Sequence, residues 1–309
     1  MAYLKNITSG QRVVLRSRNT VGRSPGADTT LQTSRVSGEH AVFTWTGDQW
    51  ELRDLGSTNG TWLGARQVEA GERAPLKVGN RVGFGDPGDP WLVQSIAPPS
   101  VIAWCGDELV EGDGPFLALP SLEDPQVVIE DEEAAWVIVQ NEERRPITDR
   151  ERIVVAGRSW EIGLPASLAP TAPLGTLERI QTLRERSLNT ARIEFAVSGD
   201  EEYVEVTAHI AGEAHSIPPK AHHYLLLLLA RARVEDAESG QTPSEHGWLY
   251  TSDLRKMLRC ESNQFYVMCH RNRKEFAKLE VTNAANIIER RTTSRQIRIG
   301  VAALSERAL

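Results

Sequence analysis

The sequence predicts a multidomain protein: an all-β sandwich over residues 1–97, an acidic β-rich middle segment and linker over 98–185, and an α/β region over 186–309. Three observations carry this prediction. Short alternating segments divided by turn residues fill the first third, with no helical period among them. The charge balance then swings sharply along the chain. From Ala191 onward the pattern becomes a hairpin, an apolar helix, two more helices and a basic hairpin.

In the first region, residues 11–16, 41–45, 50–54 and 81–85 alternate or are β-branched. Thr46-Gly47-Asp48, Asn59-Gly60 and Val78-Gly79-Asn80 supply turns between them. Closely spaced strands without helices pack as a sandwich. Prolines at 87, 90, 98 and 99 punctuate its end. In the second region, 126–130, 136–140, 153–155 and 159–164 are strand candidates. Nothing there suggests chemistry, and a spacer or a small sheet packed on the sandwich is expected. Residues 165–175 contain three prolines and read as a linker. A helix is expected over 176–188. In the third region, 191–197 and 203–210 form a hairpin, and 220–233 form a strongly apolar helix. Thr251 or Ser252 is expected to cap a helix over 253–258, and Ser262 one over 263–279. Residues 286–290 and 296–299 are strands around Thr292-Thr293-Ser294. A sheet, three helices and a basic hairpin is the order of a winged helix-turn-helix.

The net charge of -7 conceals a division. Residues 1–97 carry 11 Lys+Arg against 9 Asp+Glu, 98–214 carry 9 against 23, and 215–309 carry 15 against 10. A basic last third beside an acidic middle suits a nucleic-acid-binding end. The longest apolar run, 225–230, is far too short for a bilayer, and the N-terminus lacks the apolar stretch of a secretory signal. Cys105, Cys260 and Cys269 make neither a disulfide framework nor a zinc site, so a reducing cytoplasm is expected.

Four residue types near the N-terminus fit a phosphate carried on a peptide. A phosphothreonine brings about -1.5 to -2 charges and three acceptor oxygens. Arg23 follows Gly22 at a loop and offers a guanidinium fork. Ser37 and Thr58 offer hydroxyl donors, and the amide of Asn59 suits a peptide backbone. Any one of these alone would be an ordinary loop residue. Together, Gly22-Arg23, Ser37-Gly38-Glu39-His40 and Asp54-Leu55-Gly56-Ser57-Thr58-Asn59-Gly60-Thr61 resemble the forkhead-associated (FHA) domain over about a third of the chain. The resemblance implies a β-sandwich that binds phosphothreonine peptides at loops on one end. It assigns phosphopeptide binding to Arg23, Ser37, Thr58 and Asn59. His40 is then structural, and Gly22, Gly56 and Gly60 serve the loops. Gly38 stands where the family often has a polar or basic side chain that also meets phosphate, which predicts weaker affinity unless Arg35 compensates.

Read as a helix, residues 263–279 place Phe265, Met268, Cys269, Asn272, Phe276 and Leu279 on one face. Val267, His270, Arg271, Lys274 and Lys278 point the other way, flanked by Arg273. An apolar back with a cationic front suits a major groove, and Arg290, Arg291, Arg295 and Arg298 surround the following loop. The segment resembles the winged-helix output domain of OmpR/PhoB-type bacterial regulators. Its strand-rich start, long first helix and the run His270-Arg271-Asn272-Arg273-Lys274 carry that resemblance. Asn272 departs from it, since the family has an apolar residue there. DNA binding through His270, Arg271, Arg273, Lys274, Lys278, Arg290, Arg291 and Arg295 is the expectation.

No P-loop, GxSxG, HExxH or kinase motif is present, so an enzyme is not expected. Glu130 to Glu133 read as a solvated turn. His215, His222 and His223 flank the apolar helix, with the last two facing different ways, so no metal site and no cofactor are expected. The function read from sequence is a bacterial signalling regulator that docks on a threonine-phosphorylated protein and binds double-stranded DNA. Its partner would be a Ser/Thr kinase, a kinase substrate or a second copy of this chain, with no membrane partner. The alternative is an adaptor between kinase and client whose winged helix binds protein.

Overall fold

Strands dominate the first half of the chain because apolar and polar residues alternate there, and each strand can bury one face. The strand Trp50–Asp54 shows this directly, its residues alternating between buried and half-buried. The structure is a computed structural model that describes all residues except 107, 133–134, 142, 166–185 and 292–293. The linker expected over 165–175 and the helix expected over 176–188 lie, apart from their ends, outside the described residues. The chain divides into two units, Met1–Leu122 with Gln126–Ala172, and Pro173–Leu309 with Glu123–Pro125.

The first unit opens with two facing sheets. One is five-stranded, in the order Thr29–Thr30, Arg18–Gly22, Ala41–Trp45, Trp50–Asp54, Ala74–Pro75. The other is six-stranded, in the order Arg12–Val14, Tyr3–Asn6, Trp91–Ser95, Arg81–Phe84, Thr61–Leu63, Arg66–Val68. Leu4, Leu15, Phe43, Trp50, Leu52, Val82, Phe84 and Trp91 fill the core between them. The middle segment is more than a spacer. It forms two further four-stranded sheets around a core that includes Leu117, Ile129, Ile138, Ile153 and Trp160. It also bonds to the sandwich. Arg150 pairs with Asp28, and the Arg16 guanidinium lies 4.5 Å from the Trp104 ring centre. The solvated turn expected at Glu130 is corrected: Glu130 to Glu132 belong to the strand Pro125–Glu132, and Glu130 is buried. The four apolar and acidic residues Val127 to Glu130 are all covered, so this strand is enclosed on both faces.

The second unit begins with the antiparallel strands Arg192–Val197, Val204–Ile210 and Glu213–Ile217. The C-terminal strand Ala303–Ala308 joins them, parallel to the first. Helix α1, His223–Glu238, buries Leu225, Leu226, Leu227, Leu229 and Ala230. Its apolar run faces inward on several sides, as a core helix does. Helix α2, Thr251–Leu258, ends at Arg259, whose φ of 50° turns the chain through the left-handed region. Helix α3, Ser262–Ala277, follows, and Ile288–Arg291 and Gln296–Ile299 close the unit as a hairpin joined by Leu249–Tyr250. Two expected caps move by one residue. Tyr250 precedes α2, and Glu261 precedes α3 in a reciprocal capping box with Gln264, which leaves Ser262 inside the helix. Val267, expected on the polar side of α3, is 3% exposed and belongs to the buried face. Among the described residues, no helix is long and apolar enough to cross a membrane.

Candidate functional site

The predicted phosphate-binding residues sit on loops at the end of the sandwich, and two neighbours set the shape of those loops. His40 is fully buried. Its Nδ1 accepts the Ser37 backbone N–H at 3.0 Å, so its proton lies on Nε2, which donates to the Gly60 carbonyl at 3.2 Å. One ring thus joins the Ser37 loop to the Asn59-Gly60 loop. Burial holds its pKa below the ordinary value, against the opposing pull of the Gly60 carbonyl and Asp54, so the ring is neutral.

Asp54 performs the second task. Its Oδ1 accepts the backbone N–H groups of Gly56 and Ser57 at 2.7 and 2.9 Å. Its Oδ2 accepts the hydroxyls of Ser57 and Thr61, both at 2.6 Å. Burial works to raise the Asp54 pKa, but these donors outweigh it and hold the carboxyl below its usual range. The carboxylate therefore fixes the loop from Gly56 to Thr61 from inside. Sequence reading assigned Asp54 no role. The signal was an aspartate followed at two and three residues by Gly and Ser, the spacing of a side chain that caps its own turn.

On this frame Arg23, Thr58 and Asn59 are exposed and Ser37 is half-buried. The Arg23 backbone N–H donates to the Ser37 carbonyl at 2.8 Å, and its Nε donates to the Val36 carbonyl at 3.2 Å. Ser37 Oγ accepts the Thr58 N–H at 3.0 Å and lies 3.4 Å from Thr58 Oγ1. Asn59 Nδ2 donates to the Arg35 carbonyl at 2.9 Å. The structure thus brings all four predicted residues to one rim. Arg35 is nearby, but its guanidinium is paired with Asp86 at 2.6 Å. Gly22 is not a turn residue. A Cβ there would lie 2.0 Å from the Gly38 carbonyl oxygen, so its role is to let two loop backbones touch. Gly56 and Gly60 each have φ near +79°, a left-handed conformation that suits glycine.

The comparisons with known proteins fall on this region. Residues 19–85 match the family model described as the FHA domain. A stretch of 84 residues is 37% identical to protein phosphatase 2C 70 of Arabidopsis thaliana, covering 26% of this chain and 14% of that one. A stretch of 76 residues is 33% identical to the FHA domain-containing protein FhaB of Mycobacterium tuberculosis, covering 24% of this chain and 49% of that one. The chain therefore spans less than half the length of each of these relatives. Among solved structures, Mycobacterium tuberculosis EmbR, in complex with a low affinity phosphopeptide, aligns at 28% identity over 31% of this chain and 25% of that one, with a TM-score of 0.29. The N-terminal sandwich is an FHA domain.

In the second unit, the eight predicted DNA-binding residues occupy two environments. Arg271, Lys274, Lys278 and Arg295 are exposed, whereas His270, Arg273, Arg290 and Arg291 are half-buried. Arg273 donates to the carbonyls of Ala285 and Ile288 at 3.2 and 3.1 Å, fastening α3 to the segment before the hairpin. Arg291 binds Glu245 through both terminal nitrogens at 2.9 Å and, with Arg298, lies against the Trp248 ring. Arg290 lies over Tyr266. Asn272 is fully buried, and its Nδ2 donates to the carbonyls of His222 and Met268 at 2.9 and 3.0 Å. These partners satisfy the Asn272 donor group, while its buried Oδ1 has no hydrogen-bond partner among the described residues.

Proposed function

We propose that the chain is a phosphothreonine-dependent signalling regulator. Its FHA domain docks on a threonine-phosphorylated protein of a Ser/Thr kinase pathway, and its second unit binds double-stranded DNA as a winged helix-turn-helix. The observation that carries the first half is the gathering of Ser37 with the exposed Arg23, Thr58 and Asn59 on loops held by His40 and Asp54. A guanidinium, two hydroxyls and an amide at one rim supply charge-assisted donors to the phosphate and grip the flanking backbone. The match of residues 19–85 to the FHA domain family model supports the same ligand class.

A peptide array carrying threonine, phosphoserine and phosphothreonine versions tests this on the full chain. Binding should require phosphate and be lost in Arg23→Ala. Equal binding of unmodified peptides would refute the assignment.

For the second half, α2, the turn at Arg259 and α3 supply a helix-turn-helix order, with Arg271, Lys274, Lys278 and Arg295 as the groove and phosphate contacts. A gel shift comparing the parent with Arg271→Ala plus Lys274→Ala tests it. Weak binding that is equal in both proteins would favour the adaptor reading, in which this unit binds protein. The holding of Arg273 and Arg291 by partners in their own unit favours that alternative.

A further inference from the structure

We propose that His222, His223 and Glu275 form a binding site for a divalent transition-metal ion of the zinc class, which ties the start of α1 to α3. Sequence reading set this aside because adjacent histidines at the start of a helix face different ways. In the fold both rings turn toward one carboxylate, 52 or 53 positions later in the chain. One ligand atom from each of the three residues lies within 4.8 Å of the others. An ion about 2.0–2.2 Å from each donor spaces tetrahedral ligands about 3.3–3.6 Å apart, so small shifts of these side chains would accommodate it. All three residues are at least nine-tenths buried, at 8%, 1% and 8% exposure.

The ring of His223 gives the chemical reason. Its Nδ1 lies 3.3 Å from the Val204 carbonyl and its Nε2 lies 2.7 Å from Glu275 Oε2, so both nitrogens face oxygen acceptors. A neutral imidazole has a single N–H. With that proton on Nδ1, donated to the carbonyl, the Nε2 lone pair faces a carboxylate oxygen at 2.7 Å, a repulsion that a cation bound by both would remove as the two atoms part to ligand spacing. An N–H held by a backbone carbonyl is also the usual support of a metal-ligating histidine. His222 supplies the independent observation. Its Nε2 is buried, has no hydrogen-bond partner among the described residues and lies 3.5 Å from the same Oε2. Asn272, one helical turn before Glu275, holds the His222 carbonyl and so braces the ligand backbone. Lys220 pairs with the other carboxylate oxygen, Oε1. Its side chain is 46% exposed, so the ammonium can withdraw to solvent. The donor set of two imidazoles and one carboxylate suits zinc and its neighbours rather than calcium or magnesium.

The test titrates the metal-stripped full-length chain with Zn2+ by calorimetry, independently of any phosphopeptide or DNA. One equivalent should bind and raise the unfolding temperature. His222→Gln and Glu275→Gln should each weaken binding by at least about tenfold. Lys220→Gln should keep the stoichiometry and tighten binding, a gain that no folding defect can produce. Co2+ should give visible absorption bands in the parent that disappear in His222→Gln. Absence of saturable uptake, or uptake unchanged in both ligand variants, would overturn the site. That result would leave the three residues as a buried hydrogen-bonded group that only packs α1 against α3.

Discussion

At the residue scale, the rim that carries Arg23, Ser37, Thr58 and Asn59 depends on two buried groups, His40 and Asp54, that hold its loops from inside. Asp54→Ala leaves the buried Thr61 hydroxyl and two backbone N–H groups without their acceptor. An orphaned buried donor costs about 1–3 kcal/mol, so chemical denaturation should show a loss of that order. The two groups also set the acid response. His40 has a folded pKa below 6.5, so its contribution is complete above 6.5 and is lost as pH falls below that value. Asp54, also depressed, contributes above the ordinary carboxylate value and loses that contribution as pH falls through its folded pKa. Stability of the first unit should therefore decline in two acid steps. NMR should show the His40 ring titrating below 6.5, and a higher value would contradict the buried neutral ring. Gly22→Ala should destabilise by about 1–3 kcal/mol, because the Gly38 carbonyl cannot yield without moving the Ser37 loop.

At the element scale, α3 joins its capping box to its exposed cations. Glu261→Ala removes the cap and should lower the stability of the second unit by about 0.5–2 kcal/mol, read by helix loss on heating. On the proposed DNA-binding reading, Arg271→Ala should reduce the salt slope by about one phosphate contact, close to 0.9 in log K per log salt. Arg273→Ala should instead lower stability, because its guanidinium holds two backbone carbonyls. The strands at 41–45, 50–54 and 296–299 were legible because alternation or β-branching marks them. Thr61–Leu63 and Arg66–Val68 were not. They are three residues each and gain their pairing only from neighbours distant in sequence. The final strand, Ala303–Ala308, is mostly exposed and polar, so no apolar period announces it. The pairing of His222 and His223 with Glu275 was hidden for a different cause. Helical periodicity places side chains around one axis but does not say which distant element will receive them.

At the scale of the whole molecule, the charge runs from near balance through an acidic middle to a basic last third. The division into two units predicts separable unfolding in calorimetry. Asp54→Ala should shift one transition and Glu261→Ala the other, and a single transition moved by both changes would contradict this. The FHA resemblance was legible because its loop residues lie within a span of about forty positions, where local spacing carries the chemistry. The sheets of the middle segment were only half legible, because several of their strands lack alternation and are enclosed on both faces.

The mutual bonds among Ser37, Thr58, Asn59 and Arg35 have a kinetic meaning. Loops already stitched to one another lose little freedom when a guest arrives, so capture is governed by diffusional encounter and long-range attraction rather than by slow rearrangement. On the proposed reading, the rim should take up a phosphopeptide quickly, and added salt should slow arrival more than it hastens departure.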